Sequence, residues 1–500
     1  MVNKISRRGF LGSVAAFALT GQAAFAGPPA VSLRPMLRGG DLYKRAVPAA
    51  DEIISAQKLS GKVAFAVADT ASGAWLECEN ETLGTPPASV TKAITALYAL
   101  DVLGPSHRFE TQIAATGGIV AGEVQGDVLL IGGGDPTLDT DALAQMAAAL
   151  KAAGVHGVKG RLKVFEGALP VQHQIDPGQP DQVGYNPAVT GIALNFNRVH
   201  FEWKRVSGTY QVTMDGRSKK YRPDVTFAAM RIEDRTMPVY TYADQNGRDQ
   251  WTVARGALGG SGARWLPVRK PALYAGEVFA TMAGAHGIAL GKPEVISTLP
   301  QHEVVVRHQS DELRPILQDM LKYSTNLTAE MVGLAASQRR VGQVADLRGS
   351  AAQMNRWATA ALGMQAPALV DHSGLGDDSA LTAIDMARAL LAVKDQDFRA
   401  ILKEFGFRDS NGRPVKDQDI AVDAKTGTLN FVSSLAGYIT AKDGREMVFA
   451  IFAADAKARA GISRAERESP PGAKTWNRKA KRVQQGLIER WDALYGRKEA

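Results

Sequence analysis

"TPPASVTKAITALYALDVLG", residues 85–104, sets Ser89 three positions before Lys92, just after Pro86 and Pro87 and ahead of a helical apolar run. Proline presets the backbone at a helix start, and residues at i and i+3 share a face. The stretch predicts a helix whose first turn brings a hydroxyl within reach of an amine. A serine is a weak nucleophile until a base takes its proton. A partly buried lysine beside further cations, at the positive end of a helix dipole, loses enough basicity to be that base. The spacing alone is common, and "SAQK", Ser55 to Lys58, repeats it in this chain. There no proline-set start precedes the serine, and a surface helix explains it.

Two later stretches complete a set. "YSTN" supplies Ser324 and Asn326, and "AKTGTLN" supplies Lys425, Thr426, Gly427 and Thr428. Ser324 is suited to shuttle a proton between Lys92 and a leaving amine, and Asn326 to hydrogen-bond Lys92 and a substrate amide. Lys425 adds a second positive charge, while Thr426 and Thr428 offer hydroxyls to a substrate carboxylate. Gly427 has no side chain, so a substrate can lie along that strand edge. The backbone N–H groups of Ser89 and Thr428 are placed to form an oxyanion hole.

Ser-x-x-Lys, Ser-x-Asn and Lys-Thr-Gly in this order resemble the signature of penicillin-binding proteins and serine β-lactamases. Within them the chain is similar to the D-alanyl-D-alanine carboxypeptidase/endopeptidases of the penicillin-binding protein 4 type. "GGGDPTL" (132–138), "YAGEVFATMAGAHGIALG" (274–291), "DHSGLG" (371–376) and the long insert between the first two motifs carry that likeness. The resemblance implies an α+β fold: a transpeptidase/β-lactamase-like core, an antiparallel sheet flanked by helices, with nested β-rich inserted domains. It implies acylation of Ser89 by peptidoglycan peptides ending in D-Ala-D-Ala or by a cross-link, inhibition by β-lactam antibiotics, and no cofactor or metal. The second motif reads Ser-Thr-Asn where many relatives have Ser-Asp-Asn, and position 372 is His where relatives often carry a small or polar residue. Two alternatives stand beside this reading. One is a serine β-lactamase, although no Glu-x-x-Leu-Asn stretch is present; the other is a non-catalytic wall-binding protein, which the retained Ser89, Lys92 and Lys425 argue against.

The rest of the chain organises around these motifs. At 500 residues it exceeds one ordinary core. Lys4, Arg7 and Arg8 precede the apolar "FLGSVAAFALTGQAAFA", which ends in a small-x-small site at Ala24–Ala26, so residues 1–26 read as an export signal. "SRRGFL" gives it a twin-arginine character. The expected product is periplasmic, with no transmembrane segment. Its removal leaves 56 basic against 51 acidic side chains, a mildly basic surface with no motif for nucleic acid. Residues 27–110 are expected to hold the first part of the core after a Gly/Pro-rich tail. Residues 111–310 are expected to hold the inserted domains, one nested at roughly 139–212, and 311–500 the rest of the core. "SSLAGYITAKDGREMVFAIFAAD" reads as a hairpin turning at Asp443-Gly444, and Val483, Leu487, Trp491 and Leu494 mark a final amphipathic helix.

Three further stretches invite a chemical reading and do not support one. Asp371-His372-Ser373 are adjacent in a loop and cannot face one another as a catalytic triad. "HEVVVRH" alternates like a strand and lacks the HExxH spacing of a zinc site. "IGGGDPTL" lacks the Gly-Lys-Ser/Thr of a phosphate loop and reads as a turn after a buried strand. The one cysteine, Cys78 in "GAWLECEN", allows no internal disulfide and is expected to pack in a strand.

Overall fold

The computed structural model describes residues 47–496 except 410, 416 and 417. The expected leader and the tail as far as residue 46 lie outside the described residues. The core is built from α1 (Ala50–Ala56), β1 (Lys62–Asp69), β2 (Trp75–Glu79), α2 (Thr91–Leu103), α3 (Leu313–Tyr323), α4 (Asn326–Val341), α5 (Leu347–Leu362), α6 (Ala383–Ala392), β3 (Lys403–Glu404), β4 (Ala421–Leu429), β5 (Val432–Thr440), β6 (Glu446–Ala454) and α7 (Ala473–Tyr495). Its sheet runs β3-β4-β5-β6-β1-β2, every pair antiparallel.

The bulk of alternate side chains decides what covers each face. In β1, Ala64, Ala66 and Ala68 turn to the helical side, while Val63, Phe65 and Val67 turn to the other. β6 repeats the split, with Met447, Phe449 and Ile451 beside the second set. The bulky face is closed by α7, whose Trp476, Val483, Leu487 and Trp491 are buried against it, each large side chain contributing roughly 1.5–3 kcal/mol. The small face lets α6 approach closely, and α2 packs among α3, α4 and α5. α2 is buried from Thr91 through Ala99, the mark of a helix enclosed on all sides rather than an amphipathic one.

The insert leaves the core after α2 and returns at α3. Its outgoing strand, Glu110–Ala115, pairs with the returning strand, Glu303–Gln309, inside a five-stranded sheet. "HEVVVRH" lies in that returning strand, as its alternation predicts. Three three-stranded sheets accompany it among the described residues, a small one of Ile119–Val120, Glu123–Val124 and Gly157–Val158, one around Arg198–Val206 and one around Arg248–Ala254. Between them and the five-stranded sheet lies a separate core that includes Trp251, Phe201, Tyr274 and Phe279. Three successive residues of the insert, Asn195, Phe196 and Asn197, have left-handed φ of 50°, 58° and 49°, at a cost of about 1–3 kcal/mol each. Buried amides hold this turn: Asn195 Nδ2 donates to the Tyr274 hydroxyl at 2.8 Å, and Asn197 Nδ2 to the Ala188 carbonyl at 2.9 Å.

Cys78 does lie on a strand, β2, but on its open face. β2 is the sheet's last strand, and its inward neighbour Glu77 fills that side instead, accepting from Arg490 and the Trp491 indole. The hairpin read at Asp443-Gly444 joins β5 to β6, with Gly444 at φ 87°.

Candidate active site

Ser89 stands on a short 3₁₀ turn, Ala88–Val90, that runs straight into α2. Ala88 is buried with φ 47°, a left-handed non-glycine residue at the chain's first motif. Two glycines allow it. A Cβ on Gly374, from "DHSGLG", would lie 1.9 Å from the Ala88 carbonyl oxygen, and one on Gly427 would lie 2.7 Å from that of Pro87 and 3.0 Å from the Ser89 nitrogen. Gly427 was expected to leave room for substrate; its nearer effect is to let β4 close on the serine's turn.

Lys92 is fully buried, and its three donors are all engaged: Nζ to Ser89 Oγ at 3.0 Å, to Asn326 Oδ1 at 2.7 Å and to the Ser373 carbonyl at 2.8 Å. Behind it lie two buried carboxylates that the motifs did not reveal. Glu330 accepts the backbone N–H groups of His372 and Ser373, each at 2.9 Å, and Asp371 accepts those of Gly374 and Gly376, each at 2.6 Å. Burial brings the Lys92 ammonium down to about 8, against the opposing pull of Glu330 and Asp371. Burial likewise pushes both carboxyls up, opposed in part by these hydrogen bonds and by Lys92.

Ser324 caps α3 in a left-handed conformation, φ 59°, and this break separates α3 from α4. Lys425 Nζ donates to its Oγ at 3.0 Å and to the Thr426 carbonyl at 2.7 Å. Burial, then repulsion from Lys92 and Lys403, holds Lys425 well below the usual lysine range. The sequence reading gave it as a second positive charge, and its surroundings weaken its basicity.

A cavity of about 330 Å³ opens over the serine, with Ser89, Ser324, Asn326 and Thr428 in its wall. Thr426, next along β4, is exposed and outside that wall. β3 covers β4 only at Asp423 and Ala424, so from Lys425 onward the β4 edge is unpaired. Opposite stands Tyr185 of the insert, whose carbonyl accepts from Asn326 Nδ2 at 2.9 Å. The far wall holds Arg459 and Arg467, both paired with Asp377. Tyr185 and the two arginines lie far in sequence from every motif and gave no signal. Glu330 had one, standing at i+4 from Asn326 and so on the same helical face.

The stretches set aside behave as expected of structural parts. His372 is buried and neutral, pushed down to about 3 by burial, with Nε2 at 2.8 Å from Ser350 Oγ. It makes no contact with Ser89, and Gly333 of α4 leaves space for its ring, since a Cβ there would come within 2.1 Å. Ser55 of "SAQK" bonds its own helix, to the Glu52 carbonyl at 3.1 Å. "IGGGDPTL" is a turn in which Asp135 accepts from the Thr137 backbone.

A family model described as the D-Ala-D-Ala carboxypeptidase 3 (S13) family matches residues 47–468. The D-alanyl-D-alanine carboxypeptidase of Actinomadura sp. is 30% identical over 433 residues, 80% of this chain and 79% of that protein. Penicillin binding protein 4 (dacB) of Haemophilus influenzae has the same fold, with a TM-score of 0.69 at 16% identity over 90% of this chain and 100% of that one. A second structure of that H. influenzae protein, complexed with a β-lactam, gives 0.67 at 18% identity over the same shares.

Proposed function

The chain belongs to the D-Ala-D-Ala carboxypeptidase 3 (S13) family, and on that premise we propose a serine peptidase of the cell envelope with Ser89 as nucleophile and Lys92 as base. The observation that carries this is the 3.0 Å contact between Ser89 Oγ and a lysine brought down to about 8 by burial. At neutral pH roughly a tenth of such a lysine is unprotonated, against well under a thousandth of an ordinary one.

Ser89 Oγ attacks the carbonyl of the penultimate D-Ala of a stem peptide as its proton passes to Lys92 Nζ. The oxyanion forms against the N–H groups of Ser89 and Thr428. The C–N bond then breaks, and the leaving amine takes a proton through Ser324, which Lys425 holds in place. Water hydrolyses the ester, frees the shortened peptide as a carboxylic acid and restores Ser89. The open edge of β4 offers backbone pairing to the extended peptide, and Thr428, with the arginines of the far wall, suits its carboxylates. A β-lactam enters by the same attack, but its leaving nitrogen stays tethered by the opened ring. No step draws on a metal or a cofactor. The periplasmic location read from the leader belongs to this proposal.

Labelling the purified protein and its Ser89→Ala variant with a fluorescent penicillin, followed by mass spectrometry of the labelled peptide, tests it. An adduct on Ser89 that the variant lacks, with D-Ala released from a pentapeptide, is expected. Consumption of drug without a lasting adduct would instead identify a β-lactamase, and an inert serine would remove the catalytic claim.

A further inference from the structure

We propose that the insert takes part in acylation. The Tyr185 backbone carbonyl, set in place by Arg269, fixes which end of the Asn326 amide faces Lys92, and so aims the lone pair of Lys92 at Ser89. This rests on Ser89 being the nucleophile and Lys92 its base.

Three oxygens surround Lys92 Nζ: Asn326 Oδ1 at 2.7 Å, the Ser373 carbonyl at 2.8 Å and Ser89 Oγ at 3.0 Å. A neutral lysine has two N–H bonds and one lone pair. The amide oxygen and the carbonyl can only accept, so they take the two N–H bonds and leave the lone pair for the Ser89 proton. That outcome requires Oδ1, not Nδ2, on the lysine's side. A reversed amide would donate into the lone pair and turn an N–H towards Ser89, and the base could not accept. What opposes reversal lies at the other end of the amide. Nδ2 meets the Tyr185 carbonyl at 2.9 Å, a group that can only accept. Between Lys92 and that carbonyl the amide has one orientation that satisfies both, and the insert supplies the deciding partner.

The carbonyl has a built support. It lies within residues 166–194, which form no helix or strand, and connections that long are ordinarily kept for function. Arg269 is buried, at 5% exposure. Its guanidinium donates to three carbonyls of the loop, those of His173 at 3.2 Å, Asp181 at 3.0 Å and Asn186 at 2.6 Å. Asn186, next to Tyr185, is also buried, and its side-chain amide exchanges bonds of 2.9 and 2.8 Å with the Asp176 backbone. Two ion pairs tie the same region to the core: Arg464 with Asp181 at 2.8 Å, and Arg264 of the insert with Glu468 at 2.7 Å. A loop that merely covered the site would need no buried guanidinium on three of its carbonyls. Arg269 touches none of the reacting atoms; it is a positioning residue.

Two variants loosen the carbonyl. Arg269→Lys keeps the charge but gives up the planar fork that spans three acceptors. Arg264→Ala combined with Arg464→Ala frees the loop from the core at partly exposed positions, and decides alone should the buried substitution not fold. Penicillin acylation is followed by stopped flow across pH, with the yield of Ser89 adduct per chain giving the active fraction. Per active chain, the limiting rate is expected to fall about ten-fold in Arg269→Lys and about three-fold in the double variant. The rise with pH, set by Lys92 among Glu330, Asp371 and Lys425, should move to lower pH, because a reversed amide favours the neutral amine. In an Asn326→Ala background the same changes should cost less than about two-fold, there being no amide left to orient. Wild-type rates in the variants that fold, a slower rate with the pH rise unmoved, or an equal fall in the Asn326→Ala background would overturn the proposal and leave Ser89 as nucleophile. Absence of the Ser89 adduct in wild type would overturn the nucleophile reading itself, and the proposal with it.

Discussion

Lys92 and Lys425 occupy one buried site, yet their surroundings differ in kind. Behind Lys92 stand Glu330 and Asp371; among the charged groups acting on Lys425 are Lys92 and Lys403, which repel it. Both amines are weakened by burial, but on Lys92 two carboxyl groups oppose that shift, while on Lys425 two cations add to it. The difference separates two duties. On the proposed reading Lys92 exchanges a proton, as a base must, while Lys425, its basicity weakened by burial, orients the hydroxyl of Ser324.

Removing each lysine tests the contrast most severely. Lys92→Met is expected to slow penicillin acylation by about 10²–10⁴-fold, the range of general-base contributions. It also strands two buried carboxylates, and stability in denaturant titration should drop by about 3–5 kcal/mol. Lys425→Met removes a buried amine that Lys92 and Lys403 repel, so acylation should fall by a smaller factor while stability holds or rises by roughly 1 kcal/mol or more. Equal destabilisation in the two variants would break the comparison.

The pH dependence sharpens it. Since Lys92 must be neutral to accept the Ser89 proton, the acylation rate in wild type should climb as pH rises through about 8. Glu330→Gln removes one counter-charge, so this limb should move to lower pH. The substituted amide can accept only one of the two N–H groups of His372 and Ser373, which should cost about 1–3 kcal/mol. A limb that stays in place would mean that Glu330 does not act on Lys92.

The smallest effect expected is at His372. Its folded value of about 3 lies below the ordinary 6.5. The unfolded chain therefore binds the extra proton between these values. The stability this gives is present above pH 6.5 and lost as pH falls towards 3. His372→Gln should flatten that part of the stability curve and leave acylation at pH 8 within about two-fold.

How much was legible follows from how local each signal is. Ser89, Lys92, Ser324, Asn326 and Lys425 are short patterns with a mechanical meaning, and the hairpin at Gly444 and the face of α7 are periodicities, so all were readable in place. Glu330, behind Lys92, is held by backbone N–H groups from a loop some forty residues away, and no window of sequence contains that pairing. Tyr185 reaches Asn326 across 141 residues. Gly427 was recognised, but its contact with the serine's turn was not, because the approach of β4 to that turn is a property of packing. Cys78 was placed on its strand and turned to the wrong face, for β2 has a neighbour on one side only.

The register of β1 sets a timetable for the active site. Lys62 lies opposite Ala454 and Asp69 opposite Met447, so the strand leading to Ser89 gains its central neighbour only when residues 447–454 have left the ribosome. Until then the first hairpin has no link to the Lys-Thr-Gly strand, the turn at Ala88 lacks its clasp, and the serine is inert. On the proposed reading, reactivity towards penicillin is thus a late milestone of biogenesis. If the leader read at Arg7 and Arg8 directs passage in the folded state, the serine becomes competent in the cytoplasm, on the side of the membrane away from the mature wall.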